Sequence, residues 1–138
     1  MGFLLDTCLL SEVWKPSPNR GVITWLEGST EEELLLSALT LGELRKGIAV
    51  LPEGRRKAGL LRDYVRLRGR FEGRVLPVTD LVGERWGELS AEARRAGKHL
   101  HVVDGLLAAT ALVHGLTLVT RNVGDFAALP VPLENPWT

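Results

Sequence analysis

The sequence is short of several things, and each shortage narrows what the chain can be. It has one cysteine, Cys8, in 138 residues. A lone thiol closes no internal disulfide, which excludes a disulfide-stapled scaffold and favours a reducing cytoplasm. No apolar run approaches the ~18 residues that a membrane span needs. The opening MGFLLDTCLL has no basic n-region and meets an acid at Asp6, so no secretory signal is expected. Position 6 also lacks the Ser or Thr of a myristoylation site. Net charge is absent as well: 17 Lys+Arg balance 17 Asp+Glu. Bulk attraction to nucleic acid is therefore excluded, and any such binding must come from local patches. There is no internal repeat and no low-complexity tract. What remains is 45% apolar and 25% charged residues over about one domain's length, so residues 1–138 read as a single globular domain.

Apolar patterning predicts strands alternating with helices. Phe3-Leu4-Leu5 is a short buried strand ending at Asp6, with a helix running on to Trp14 and stopped by Lys15-Pro16-Ser17-Pro18. A second helix is expected over 20–27 and a second strand over 33–38. Leu41, Leu44, Ile48 and Leu51 form a helical stripe that Pro52 ends. Leu60, Tyr64, Leu67 and Phe71 form another, with Arg62, Arg66 and Arg70 on a different face of that helix. Val75 to Val78 is strand-like. Val82, Trp86, Leu89, Ala93 and Ala96 mark a further helix, which makes Trp86 a core residue. Residues 103–113 are apolar nearly all round, as a helix buried on several faces would be. Residues 116–119 form a strand, and 131–133 an edge strand. The whole predicts an α/β domain around a central, mostly parallel β-sheet flanked by helices.

Four acids stand where such a fold turns from strand to helix. Asp6 ends the first strand, Glu43 lies in the first turn of the third helix, Asp104 begins the buried helix, and Asp125 follows the last strong strand. Ligands of open α/β sheets bind beyond the carboxyl ends of the strands, so a parallel sheet can gather these distant acids. Singly, each has a plainer reading: an Asp caps a helix, and Thr40-Leu41-Gly42-Glu43 matches a capping box. Jointly, they carry a cost. Two carboxylates ~4 Å apart repel by ~1 kcal/mol in water and ~4 kcal/mol at an effective dielectric of 20. A divalent cation removes that penalty, and hard oxygen donors suit Mg²⁺ or Mn²⁺. The chemistry supported is phosphodiester hydrolysis by a metal-activated water.

The same residues make the chain resemble a known family, the PIN-domain ribonucleases, and among them the VapC-type toxins of VapBC toxin–antitoxin pairs. The resemblance is carried by Phe3-Leu4-Leu5-Asp6-Thr7, by Ser37-Ala38-Leu39-Thr40-Leu41-Gly42-Glu43-Leu44 and by Val103-Asp104-Gly105 through Ala111. It continues through Gly115-Leu116-Thr117-Leu118-Val119-Thr120-Arg121-Asn122, Asp125-Phe126 and Asn135-Pro136-Trp137. It implies a PIN-like fold and a cytoplasmic, Mg²⁺- or Mn²⁺-dependent endoribonuclease. It also implies a homodimer restrained by an antitoxin protein that blocks the acidic pocket. Asp6, Glu43, Asp104 and Asp125 match the family's acidic quartet. Asp6, Asp104 and Asp125 would hold the metal, and Glu43 would orient the attacking water. Thr120 and Asn122 would fix the acids and bound waters. Cys8 stands where the family usually has Asn. That departure supports the alternative of a catalytically weak or inactive PIN-like module that binds RNA or protein.

Other constellations carry less. Between Arg55 and Arg74 stand eight Lys/Arg and two acids. Arg62, Arg66 and Arg70 are candidates for RNA-backbone contacts there. A solvated face, or a pairing with Glu31-Glu32-Glu33, reads the same charges otherwise. His99, His101 and His114 lack a nearby third soft ligand for zinc and read as loop or surface residues. Cys8 is not the nucleophile of a Cys-x5-Arg phosphatase, because Trp14 occupies the Arg position.

Overall fold

A computed structural model describes residues 2–138; Met1, the first residue of the expected 1–138 domain, lies outside them. Five parallel strands form one sheet: β1 (Phe3–Leu5), β2 (Leu34–Ser37), β3 (Val75–Leu76), β4 (Thr117–Val119) and β5 (Leu133–Glu134). Their order is β3-β2-β1-β4-β5. The chain steps outward from β1 to β3 and then returns to β1's other side, so the order reverses between β1 and β4. Seven helices cover the sheet: α1 (Thr7–Val13), α2 (Arg20–Glu27), α3 (Ala38–Ala49), α4 (Arg55–Arg70), α5 (Asp80–Arg95), α6 (Val102–His114) and α7 (Val123–Phe126).

Strand pleating sorts the apolar residues onto the two faces. Leu4 and Leu118 point to one side, into a core with Leu89, Leu107, Ala108 and Phe126. Leu5, Leu36 and Val119 point to the other, into a core with Leu9, Val22, Leu44 and Phe71. Both faces are covered, which is why the strands read as continuous apolar runs.

The expected α/β layering stands, and the sheet is wholly parallel among the described strands. Four details differ from expectation. The third helix begins at Ala38, capped by Ser37, whose hydroxyl accepts from the Leu39 amide at 3.0 Å. Thr40 therefore lies inside α3, fully buried, and the Thr40–Glu43 capping box does not form. The chain reaches helical geometry as soon as β2 ends, and Ser37 takes the cap first. α7 was not foreseen, because four residues are too few for a periodic signal. The last strand pairs at Leu133–Glu134, slightly later than 131–133. α4 begins at Arg55, one turn before its apolar stripe.

α6 is set against α5 by a close approach at Gly105. A Cβ there would meet Trp86 Cδ1 at 2.8 Å and Nε1 at 3.0 Å. Trp86 sits against the core as its stripe predicts. Gly105 directly follows Asp104, so this packing also sets where that acid stands. Gly105→Ala should force α6 outward at the ~1–3 kcal/mol typical of an overpacked core. A lowered melting temperature by circular dichroism is the expected reading, and an unchanged one would show that the contact yields.

Candidate active site

Asp6 follows β1 directly, and the parallel register decides what it faces. Leu5 pairs with Val119 in β4, so Asp6 and Thr120 emerge side by side at the carboxyl ends of their strands. The Asp6 amide donates to the Val119 carbonyl at 3.0 Å, extending the ladder by one step. Thr120 is wholly buried and donates its hydroxyl to Asp6 Oδ2 at 2.8 Å. The Thr120 oxygen in turn accepts the Asn122 amide at 3.0 Å. Asp6 Oδ1 accepts the Thr7 amide at 2.7 Å, so Asp6 is the N-cap of α1 as its plainer reading had it. The cap uses one oxygen, and Thr120 fixes the other.

Thr7 ties in the second acid. Its hydroxyl donates to Glu43 Oε1 at 2.6 Å. Thr7 thus bridges Asp6 and Glu43 with its amide and its side chain. Sequence reasoning singled out neither Thr7 nor this link; a hydroxyl directly after the acid that ends β1 was the available signal. Freed from the capping box, Glu43 has no other hydrogen bond among the described residues. Its exposed side chain belongs to the site rather than to its own helix.

Asp104 lies in the first turn of α6, where the N-cap is His101, and Asp125 lies within α7. Neither caps a helix. Both line one cavity of about 390 Å³. Partial burial pushes the Asp104 carboxyl above its ordinary value; Asp6 and Asp125 push it further and Glu43 adds to them, with only His101 opposing. All four acids therefore share one electrostatic neighbourhood, although they come from four different segments. Among the described residues, no Lys or Arg forms an ion pair with any of the four.

Cys8 lies against the same pair, its sulfur 3.8 Å from Asp6 Oδ2 and 3.7 Å from Thr120 Oγ1. Burial pushes its thiol up, Asp6 adds to this, and the Arg121 backbone partly opposes it. The four acids of the site offer hard carboxylate oxygens. Among the described residues no three acids, histidines or cysteines stand as a coordinating group. The acids are neighbours without forming a closed coordination group.

The expected side chains outside the quartet divide. Thr120 holds Asp6. Asn122 lends its backbone amide to Thr120, and its side chain makes no capping bond. Arg70 is taken by Glu31 at 2.7 Å, which is the plainer of the two readings of the basic helix. Arg66 lies 3.9 Å from Asp63, and Arg62 has no ion pair among the described residues. His114 ends α6, away from the acids.

A PIN domain model matches residues 3–131, a span that includes all four acids. The chain belongs to the PIN domain family. Among similar known proteins is the VapC ribonuclease Y4jK of Sinorhizobium fredii, 38% identical over 138 residues, covering 97% of this chain and 96% of that protein. Toxin FitB of Neisseria gonorrhoeae is 40% identical over 138 residues, covering 97% of each. The solved structure of FitAB bound to an IR36 DNA fragment aligns with a TM-score of 0.93 at 37% identity, covering 99% of this chain and 96% of that one.

Two outcomes follow for this PIN domain. Asp104 binds its proton more tightly folded than unfolded, so its stabilising contribution is present below the ordinary carboxylate range of ~3.9 and is lost as pH rises through the raised value. With a chelator present, Asp104→Asn should melt higher than the parent at pH 7, the gain shrinking as pH falls through the carboxylate range. A lower melting point at pH 7 would contradict the charge burden. Thr120→Val should release Asp6 and lower activity about 10- to 100-fold, as removal of a group that orients a ligand typically does.

Proposed function

We propose that this PIN-domain protein is a divalent-metal-dependent endoribonuclease and the toxin component of a toxin–antitoxin pair. The observation that carries the reading is geometric: Thr7 joins Asp6 and Glu43 at the carboxyl end of β1 through hydrogen bonds of 2.7 and 2.6 Å, Thr120 fixes the other Asp6 oxygen, and Asp104 and Asp125 line one cavity. The relatives named VapC ribonuclease and toxin FitB, each matched over nearly the full chain, support it.

Asp6, Asp104 and Asp125 would hold the ion, Mg²⁺ or Mn²⁺. When bound, it supplies positive charge against the phosphoryl and leaving oxygens and lowers the pKa of a coordinated water. The chain's own part is positional. Thr120 and the Thr7 amide fix both oxygens of Asp6. Thr7 also holds Glu43, whose carboxylate would orient the water that attacks phosphorus in line and accept its proton. The P–O bond to the leaving oxygen breaks as the new one forms, and no covalent enzyme intermediate arises.

The rival reading, a non-catalytic module, rested on Cys8. Thr120 supplies the direct hydrogen bond to Asp6, with the thiol packed beside it, so the Asn-to-Cys change leaves Asp6 held.

The antitoxin has a candidate seat away from the acids. An apolar hollow of about 390 Å³ lies between α1, α2 and α4, lined by Leu10, Trp14, Leu26 and Phe71 and edged by Arg66, Arg70 and Arg74. Arg74 donates to the Leu34 carbonyl at the start of β2, and a parallel sheet places that end opposite the acids. Glu31 and Asp63 line the same hollow beside Arg70 and Arg66, so its apolar lining rather than free positive charge is what fits a protein segment, and Arg66 and Arg70 do not serve an RNA strand at the active site.

Asp6→Asn and Asp104→Asn should each reduce Mg²⁺- or Mn²⁺-dependent cleavage of single-stranded RNA to background while the far-ultraviolet spectrum is unchanged. Cleavage by both purified variants at the parent rate would overturn the assignment.

A further inference from the structure

We propose that the RNA strand crosses the acidic site along a path built by side chains on both flanks. A phosphate-binding groove lies at Arg55 and Arg56, and a nucleotide pocket lies at Lys98, His99 and His101. The inference rests on the ribonuclease reading.

Three of the four acids line two hollows that share no residue, and Asp6 lines neither. Glu43 lines a groove of about 730 Å³ running between α1 and the α3–α4 pair. Lys15, Arg55 and Arg56 line it too, with Asp63 as the other acid. Lys15 is held by Glu12 at 2.9 Å. Arg55 and Arg56 are exposed and have no side-chain hydrogen bond or ion pair among the described residues. They open α4, about 22 Å of helix from Arg70, so they are the cations of the basic stretch that face the acids. Unpaired guanidinium groups in a groove that ends at Glu43 suit the backbone of a polyanion.

On the other flank, Asp104, Asp125, Lys98, His99 and His101 all line the cavity of about 390 Å³. Leu100 and Leu129 line it between them. That volume is within the range of small-molecule and nucleotide pockets. The two imidazoles meet edge to face, with centroids 4.9 Å apart and planes at 87°. His101 sits at the N-cap of α6 without making a capping bond, and its ring packs against that of His99 instead. None of the three side chains has a hydrogen-bond or ion-pair partner among the described residues, and all are exposed. Imidazole faces and an apolar floor accept an unstacked base, and the ammonium accepts its phosphate. Four carboxylates repel a polyanion, so a strand held over them needs attachment on each side.

The test uses the purified full chain, Mn²⁺ and a fluorescent single-stranded RNA, with kcat and KM measured across a salt series. Arg55→Ala/Arg56→Ala should raise KM about tenfold and flatten the log–log salt slope by about 1.4, since each lost phosphate contact on a single strand removes ~0.7. His99→Ala/His101→Ala should raise KM about tenfold with the salt slope unchanged, and His99→Phe/His101→Phe should restore most of it, because stacking needs a ring and not a charge. In both cases KM should change far more than kcat. If the parent cleaves RNA while both alanine pairs keep its KM and salt slope, the path is overturned and the ribonuclease reading stands. If the parent cleaves no RNA with Mg²⁺ or Mn²⁺, that reading falls and the path with it.

Discussion

The hydrogen bond from the Thr120 hydroxyl to Asp6 is the contact on which the site depends, and it is a product of strand register. Phe3, Leu4 and Leu5 pair in parallel with Thr117, Leu118 and Val119, so the next residues on each chain, 114 positions apart, come out side by side. A slip of one residue would exchange Leu4 with Leu5 between the two cores and move Thr120 away from Asp6. The register that buries the leucines is therefore the same constraint that orients the carboxylate. Fold stability and site geometry are not separable here.

The remaining acids are brought in by packing rather than by pairing. Glu43 arrives because β2 runs straight into α3 and Thr7 reaches across to it. Asp104 arrives because α6 is buried on several faces and lies close against Trp86 at Gly105. Burial and its three acidic neighbours push the Asp104 carboxyl up, the direction expected where like charges crowd. A protein under selection for stability alone would place a Lys or Arg among these groups, and among the described residues none pairs with them. Tolerated like-charge repulsion in a cleft is a functional signature with a physical reason.

Much of this was legible in the sequence. The α/β layering followed from apolar runs of strand length between helical stripes; of the four acids, Asp6 and Asp104 stand at the expected strand and helix ends, while Glu43 lies in the second turn of α3 rather than the first. What escaped had either no periodic signal or a partner too far along the chain. Thr40-Leu41-Gly42-Glu43 matched a capping box locally, but Ser37 stood three residues earlier at the actual helix start, a choice that the end of β2 decides. α7 has four residues, fewer than a periodicity needs. Thr7 looked like an ordinary first-turn residue until Glu43 lay beside it. Glu12, buried and bonded to Lys15, the Asn19 amide and the Trp137 indole, joins α1 to a tail residue 125 positions away. Arg121 stacks over that same Trp137, 5.3 Å from its centroid, which braces the segment just after Thr120.

The charge balance shows why composition and site chemistry must be argued separately. Seventeen cations against seventeen acids give no net field. The fold then sorts them: uncompensated acids at the reversal of strand order, unpaired Arg55 and Arg56 on one flank, and Lys98 with two imidazoles on the other. Arg70, in the same basic stretch, is neutralised by Glu31 at the far end of its helix. Attraction between the acids and a ribonucleotide strand is not available without a cation between them, so affinity must be supplied outside the reacting centre. On the proposed reading the acids would set the chemistry and their neighbours the hold on the strand. Specificity among RNA substrates would then vary with the flanks while the quartet stayed the same.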